Sequence, residues 1–174
     1  MYPREQSSPN DRPSIEMSQC RKMISLSLVF ALMAALLLIQ LMAVQRMNPP
    51  SIAPLDAPPQ VQTVLTRACY DCHSNQTRWP WYSRVAPVSW WIARDVAHGR
   101  EQVNFSTWGT YLPRTRRHKL QWMGRALRNH AMPPLAYCLM HPDARLSEED
   151  RRVVENWVRT QLGGLSPREQ GHSE

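Results

Sequence analysis

The chain has 174 residues, enough for one folded domain with appended segments, and a formal net charge of +7 at pH 7. It has no Gly-rich phosphate loop, no zinc-finger spacing and no ladder of basic and aromatic residues, so the charge does not predict binding to nucleic acid. Seven tryptophans and fifteen prolines instead favour a small, loop-rich domain around a large, flat, apolar group.

Two segments precede the predicted domain. Residues 1–22 contain prolines, serines and scattered charges without an apolar period, which predicts a disordered tail, and Met17 or Met23 is an alternative start. Residues 23–44 carry no charge. At 1.5 Å per residue they can cross roughly 30 Å of hydrocarbon, so we predict a transmembrane helix.

The charges on either side of this helix predict its orientation. Arg4, Arg12, Arg21 and Lys22 precede it. Arg46 is the only basic residue between its end and Arg67, so the positive-inside rule puts the N-terminus in the cytoplasm and the rest across the membrane. A cleaved signal peptide is the alternative, but the apolar run is long and lacks a clear small-x-small cleavage site.

A proline-rich linker is predicted over residues 45–60, before a domain at 61–164 and a disordered tail at 165–174. The linker contains Pro49, Pro50, Pro54, Pro58 and Pro59. Because prolines cannot continue a helix or a central strand, we expect an extended, semi-rigid spacer that lifts the domain off the bilayer.

The first helix of the domain is predicted from about Val61, with apolar residues at helical spacing leading directly into Cys69-Tyr70-Asp71-Cys72-His73. Two thiols separated by two residues and followed by histidine form the attachment pattern of c-type haem: the sulfurs bond to the two vinyl groups and the imidazole is the proximal iron ligand. The pattern predicts one haem c per chain.

Other functions of a Cys-x-x-Cys pair remain open at this point. A zinc site needs two further ligands, and no second Cys-x-x-Cys is present, although His73 with Cys138 or a distant histidine could complete one. A redox dithiol is expected beside a strand-helix-strand pattern, which is missing. A structural disulfide would leave His73 without a role.

Three further helices are predicted after the motif. They run from about 88 to 98 with Gly99 as the stop, from 116 to 129, and from an N-cap at Ser147 to Gly163 and Gly164. Residues 74–87 and 104–113 are predicted loops. In the last helix, Trp157 is expected to pack against Val64 or Leu65. The fold class is therefore all-α, with three to four helices around the haem and one transmembrane helix before them.

Met132 is the predicted second axial ligand of the iron. Its thioether is a soft, neutral ligand of a kind that pairs with histidine on haem iron, and Pro133-Pro134 would hold it in an extended backbone. Methionine is also a common core residue, so a purely structural role is the alternative. The rival ligands are His130 above all, then His98, His118, His141, Met123 and Met140.

Tryptophans and arginines could complete the haem environment. Trp79, Trp81, Trp90, Trp91 and Trp108 are candidates for its walls, with ordinary core packing as the alternative. Arg100, Arg114, Arg116 and Arg117 are candidates to pair with the propionates, with a solvated surface as the alternative. Cys138 has no assigned role and is interpreted as a buried, inert thiol.

The motifs together carry a family resemblance over about residues 60–162. The attachment motif, the Met132-Pro133-Pro134 loop and the capped last helix resemble a mono-haem class I cytochrome c. Further segments resemble a narrower bacterial family, the haem-binding domain, whose members often have one N-terminal membrane helix: Pro80-Trp81-Tyr82-Ser83, Ala86-Pro87-Val88-Ser89-Trp90-Trp91, Gly99-Arg100, Asn104-Phe105-Ser106-x-Trp108, Met132-Pro133-Pro134-x-x-Tyr137 and His141-Pro142.

The resemblance implies an α-helical, cytochrome-c-like domain with covalent haem, and the charges around the apolar helix put this domain on the periplasmic side of the inner membrane. We expect an electron carrier rather than an enzyme, with Cys69, Cys72, His73 and Met132 binding the haem and the haem edge near the two cysteines exchanging electrons with redox partner proteins. The alternatives are a haem enzyme, such as a peroxidase or small-gas reactor with a labile distal ligand, and a haem-binding subunit or sensor.

Overall fold

The computed structural model describes residues 12–42 and 44–165, and its secondary structure is entirely helical. No strand occurs among these residues, which confirms the all-α prediction. The chain divides into two compact units. One contains the N-terminal helix together with residues 85–87, and the other comprises residues 44–84 and the chain from 88 onward.

Helix α1 spans Arg12–Ile39. Within it, Arg21–Ile39 is long and apolar enough to cross a membrane by length and composition, and none of its most apolar stretch is buried in the structure. The helix begins inside the segment predicted to be a disordered tail, because residues 12–22 extend the helical backbone of the apolar run. Residues 1–11 of that tail lie outside the described part of the chain.

Six helices form the second unit, together with three short 3-10 segments. The helices are α2 (Pro59–Ala68), α3 (Tyr70–His73), α4 (Val88–Gln102), α5 (Pro113–Arg128), α6 (Leu135–Met140) and α7 (Glu148–Gly164). The 3-10 segments are Trp81–Arg84, Phe105–Thr110 and Pro142–Ala144. The predicted helices correspond to α2, α4, α5 and α7, whereas the 3-10 segments Trp81–Arg84 and Phe105–Thr110 fall in predicted loops, and α6 and Pro142–Ala144 lie where no element was predicted.

The ends of the longer helices follow from their sequences. Pro59 and Pro113 occupy the first turns of α2 and α5, where a missing N–H costs nothing, so both helices start slightly earlier than predicted. Ser147 caps α7 as predicted: its hydroxyl accepts a hydrogen bond from the Asp150 N–H, while the Asp150 carboxylate accepts from the Ser147 N–H. Gly163 and Gly164 are the last two residues of α7.

One core joins α2, α5 and α7. The face of α2 that carries Val64 and Leu65 belongs to the same buried cluster as Trp157, in agreement with the predicted packing of that tryptophan. Leu65, Leu120 and Val154 are among the most deeply buried side chains. These helices provide a rigid frame, and α3 and α4 pack together at one side of it.

Gly99 does not end the second predicted helix, because α4 continues to Gln102. The glycine serves another purpose there. A Cβ atom built at this position would lie 2.9 Å from the carbonyl carbon of Cys72 and in still closer contact with the carbonyl oxygen. Only glycine therefore lets α4 approach the backbone of the attachment motif this closely.

Residues 47–57, which were predicted to be part of a spacer, pack on the domain instead. The Leu55 N–H donates to the Phe105 carbonyl at 2.7 Å, and the Gly109 N–H donates to the Ala53 carbonyl at 2.9 Å. Leu55 is buried in the core cluster. The prolines make this segment extended, as expected, but its free backbone groups pair with the 3-10 segment Phe105–Thr110 and hold it against the domain.

Candidate functional site

A cavity of about 440 Å³ brings the four predicted cofactor-binding residues together. Cys69, Cys72, His73 and Met132 all line it, although Met132 lies far from the others in sequence. The volume falls within the range of roughly 300–1,000 Å³ that is typical of ligand and cofactor sites.

The walls of this cavity are mainly apolar. Its apolar lining comprises Val64, Leu65, Ala68, Val103, Phe105, Trp122, Met123, Ala126, Leu127, Pro133, Pro134, Leu146 and Val154. The polar lining outside the motif consists of Asp95, His98 and Gln102, all of them exposed. The interior is therefore suited to a flat apolar group with one edge near water.

His73 is held in a defined orientation by backbone carbonyl groups. Its Nδ1 lies 2.8 Å from the Gly99 oxygen and 3.2 Å from the Val103 oxygen. Because carbonyls only accept hydrogen bonds, Nδ1 carries the proton and donates it. The Nε2 lone pair is then available to a metal, the arrangement that usually orients a histidine ligand.

Burial also keeps this imidazole neutral. It lowers the pKa of His73 below its ordinary value, against the opposing effect of the two carbonyl groups. The ring of Trp122 lies 5.9 Å from that of His73, centroid to centroid, and Phe105 lies on another side at 6.3 Å. At neutral pH the ring is therefore uncharged and sterically confined, as a metal ligand should be.

The two thiols are protonated and not activated. Burial raises the pKa of Cys69 to about 12, with the neighbouring Cys72 adding to the effect, and raises the pKa of Cys72 to about 11, with Asp95 and Asp71 adding to it. A catalytic redox dithiol needs the opposite shift, because the thiolate is the nucleophile. The site is thus poorly suited to disulfide exchange.

The Asp71 carboxylate inside the motif is buried and hydrogen-bonded. Its Oδ1 accepts from the Arg78 N–H at 3.0 Å, and its Oδ2 accepts from the Tyr137 hydroxyl at 2.7 Å. The Arg78 guanidinium also forms an ion pair with it. Asp71 could not be assigned a role from its sequence position, because the chain must fold before Arg78 and Tyr137 reach it.

Two of the rival distal ligands share the cavity with Met132. Met123 lines it from α5, where it is buried in the core, and His98 lines it from α4, where it is exposed. His130, the main rival, is exposed and is not among the lining residues, nor are His118, His141 and Met140.

The predicted haem walls and propionate partners lie elsewhere. None of the five candidate tryptophans lines the cavity, and Trp122, which was not predicted, does. Arg100 bonds through its guanidinium to Ser74, Met47 and other polar groups. Arg116 and Arg117 donate to the carbonyls of Tyr111 and Leu165. None of these three arginines is among the cavity-lining residues, and Arg114, which is exposed, is not among them either.

The remaining alternatives receive little support from the geometry. Among the residues that the structure describes, no group of three or more His, Cys, Asp or Glu side chains is placed to hold a metal ion. Cys69 and Cys72 are free thiols, and Cys138 is a buried one away from the cavity lining.

The paired thiols, the free imidazole nitrogen and the thioether on one apolar cavity fit a haem. The chain matches the haem-binding domain family over residues 34–160, more than half of its length. The match starts upstream of residue 60, in agreement with the packing of residues 47–57 on the domain. No curated protein and no solved structure matches the chain significantly. The motifs identified in the sequence thus agree with the family match, and the chain belongs to the haem-binding domain family of haem-binding proteins.

Proposed function

We propose that this protein is a membrane-anchored c-type cytochrome that transfers single electrons. Cys69 and Cys72 would hold the haem through thioether bonds, and His73 and Met132 would be the axial ligands. The observation that carries the proposal is the presence of these four side chains on one apolar cavity of about 440 Å³. Bound haem would supply one-electron exchange between ferric and ferrous iron.

The protein residues fix the coordination chemistry of that exchange. The carbonyls of Gly99 and Val103 keep the Nδ1–H of His73 oriented, so that Nε2 points away from them and remains free. A thioether from Met132 favours the reduced state, which raises the reduction potential. Two axial side chains would leave no open position for a substrate, which suits a carrier better than an enzyme.

The apolar helix supports a location at the inner membrane. Arg21 and Lys22 begin the apolar stretch of α1, and Arg46 is the next basic residue after it. This distribution favours a cytoplasmic N-terminus and a periplasmic haem domain. Tethering would raise the effective concentration of the domain near membrane-bound redox partners, as a carrier requires.

The distal ligand separates a carrier from a haem enzyme, and Met132→Ala tests it. We expect the purified oxidised protein to show the weak far-red absorption band of methionine-ligated haem, and the ferrous protein to bind carbon monoxide poorly. Met132→Ala should lose the band and bind carbon monoxide readily.

Two substitutions serve as matched controls on the same cavity. Met123→Leu and His98→Gln remove the rival ligands, and both should keep the far-red band. A wild-type protein without the band, or loss of the band in Met123→Leu alone, would exclude the proposed ligation.

A further inference from the structure

The Asp71–Tyr137 hydrogen bond connects the two segments that carry the proposed iron ligands. Asp71 lies in α3, two residues before His73, and is 7% exposed. Tyr137 lies in α6, five residues after Met132. The hydroxyl of Tyr137 donates to Asp71 Oδ2 at 2.7 Å. A hydrogen bond to a buried carboxylate is among the stronger neutral-to-charged contacts in proteins.

Helix α6 contacts the 3-10 segment Pro142–Ala144, and most of its other side chains face solvent. Leu135, Leu139 and Met140 are exposed, and Cys138 is the buried residue of this helix. Among the described residues, the only side-chain hydrogen bond that residues 130–140 donate to another segment is the one from the Tyr137 hydroxyl to Asp71. The Met132-Pro133-Pro134 segment is thus held at both ends: the Ala131 N–H donates to the Ala126 carbonyl at 2.9 Å before it, and the Tyr137–Asp71 bond holds α6, which starts directly after it.

The ring of Tyr137 is supported on its other side. It stacks on His141 with 4.4 Å between ring centroids and 20° between the planes. His141 Nε2 and the Tyr82 hydroxyl are hydrogen-bonded at 2.7 Å, which ties the stack to the 3-10 segment Trp81–Arg84. The Tyr137 side chain is thus held by Asp71 and by His141, so that it fixes the position of α6 relative to α3.

We propose that Tyr137 and Asp71 are positioning residues that keep Met132 on the haem iron. This inference rests on the proposed His73/Met132 ligation. The Tyr137–Asp71 bond fixes α6 to the helix of the proximal ligand, so that Met132 loses little freedom when it binds. Without the bond, the Met132 segment gains freedom and the ligand leaves the iron more often, which opens the distal position to small molecules.

Tyr137→Phe tests this role with the smallest change that removes the bond. Imidazole, which competes with the methionine for ferric iron, is the probe. Its binding to the full-length haem-loaded protein is measured as the loss of the far-red band. From the strength of a hydrogen bond to a charged group, we expect imidazole to bind about 10- to 100-fold more tightly to Tyr137→Phe than to wild type.

Two further variants make the comparison specific. Thr160→Val removes an exposed hydroxyl that donates to the Asn156 carbonyl in α7, outside the cavity lining, and should leave the imidazole affinity unchanged. Asp71→Ala removes the acceptor of the Tyr137 hydroxyl together with the Arg78 contacts, and it should strengthen imidazole binding. Adding Tyr137→Phe to Asp71→Ala should have little further effect, because the hydroxyl has already lost its acceptor. A merely structural role would lower unfolding stability in Tyr137→Phe without changing the affinity.

The outcomes distinguish this inference from the proposed function. If wild type shows the far-red band and Tyr137→Phe binds imidazole within twofold of wild type and of Thr160→Val, the positioning role is refuted while the ligation stands. If wild type itself lacks the band, both are refuted. A tighter imidazole complex in Tyr137→Phe, with the band present at zero imidazole, supports both.

Discussion

At the residue scale, Cys69, Cys72 and His73 are close together in the sequence, whereas the residues that hold them in place come from distant parts of the chain. The pentapeptide at 69–73 was singled out by its short spacing and Met132 by the two prolines that follow it, and all four predicted side chains line one cavity. Trp122 and the carbonyl of Val103 could not be predicted, since they reach the site through helix packing. The Asp71–Tyr137 bond likewise joins residues far apart in the chain, and no periodicity indicates it.

Gly99→Ala should damage the domain, because the added methyl group would meet the backbone of Cys72. Overpacking of this kind costs about 1–3 kcal/mol of unfolding free energy. Chemical denaturation of the haem-loaded protein measures it. Gly163→Ala is the matched control, since nothing lies within 4 Å of the added atom and alanine favours the helix. Equal stabilities of the two variants would contradict the close approach of α4 to α3.

At the element scale, the amphipathic helices were predicted to within a few residues, whereas the extended segment 47–57 was not recognised as part of the domain. Proline content indicates an extended backbone but says nothing of what that backbone pairs with. Short helices such as α6 were also missed, because one and a half turns offer too few positions for an apolar period. The long helices are the predictable part of this fold.

Leu55→Ala tests whether the segment belongs to the core. The side chain is buried, so we expect a loss of about 2–5 kcal/mol of unfolding free energy. Ile52→Ala, which truncates an exposed residue of the same segment, should change the stability by no more than about 0.5 kcal/mol. A free spacer would give two neutral substitutions, and that result would refute the observed packing.

The capping box of α7 should make stability depend on pH. Burial opposes the shift, but hydrogen bonds from Ser147 and the ion pair with Arg67 lower the pKa of Asp150 below its ordinary value. The folded state thus favours the carboxylate, and this stabilisation is present above the unfolded-state pKa near ~4 and is lost as the pH falls through the folded-state value.

Asp150→Asn should therefore cost about 1 kcal/mol at pH 7, and the cost should shrink as the pH falls below about 4. Glu149→Gln removes a charge from the same helical turn, where the side chain is exposed, and should cost less. Unfolding free energies of the two variants across pH 3–7 measure the difference. A cost for Asp150→Asn that does not change with pH would contradict the capping role of the carboxylate.

At the scale of the whole molecule, the all-α class and the family could both be predicted, because several motifs occur in order along one chain. The match over residues 34–160 confirms the family and haem binding. Residues of α2 and α3 line the same cavity as Met132 from the segment after α5, so motifs that are far apart in the sequence meet in the fold. The proposed function depends on covalent attachment of the haem to Cys69 and Cys72.

The intact mass of the purified full-length chain tests that attachment most directly. We predict the polypeptide mass plus one haem under denaturing conditions, and the polypeptide mass alone for Cys69→Ala/Cys72→Ala. Cys138→Ala, which removes a buried thiol away from the cavity lining, should keep the haem. A wild-type chain that has the mass of the bare polypeptide, with its haem extracted into acidified organic solvent, would contradict the account.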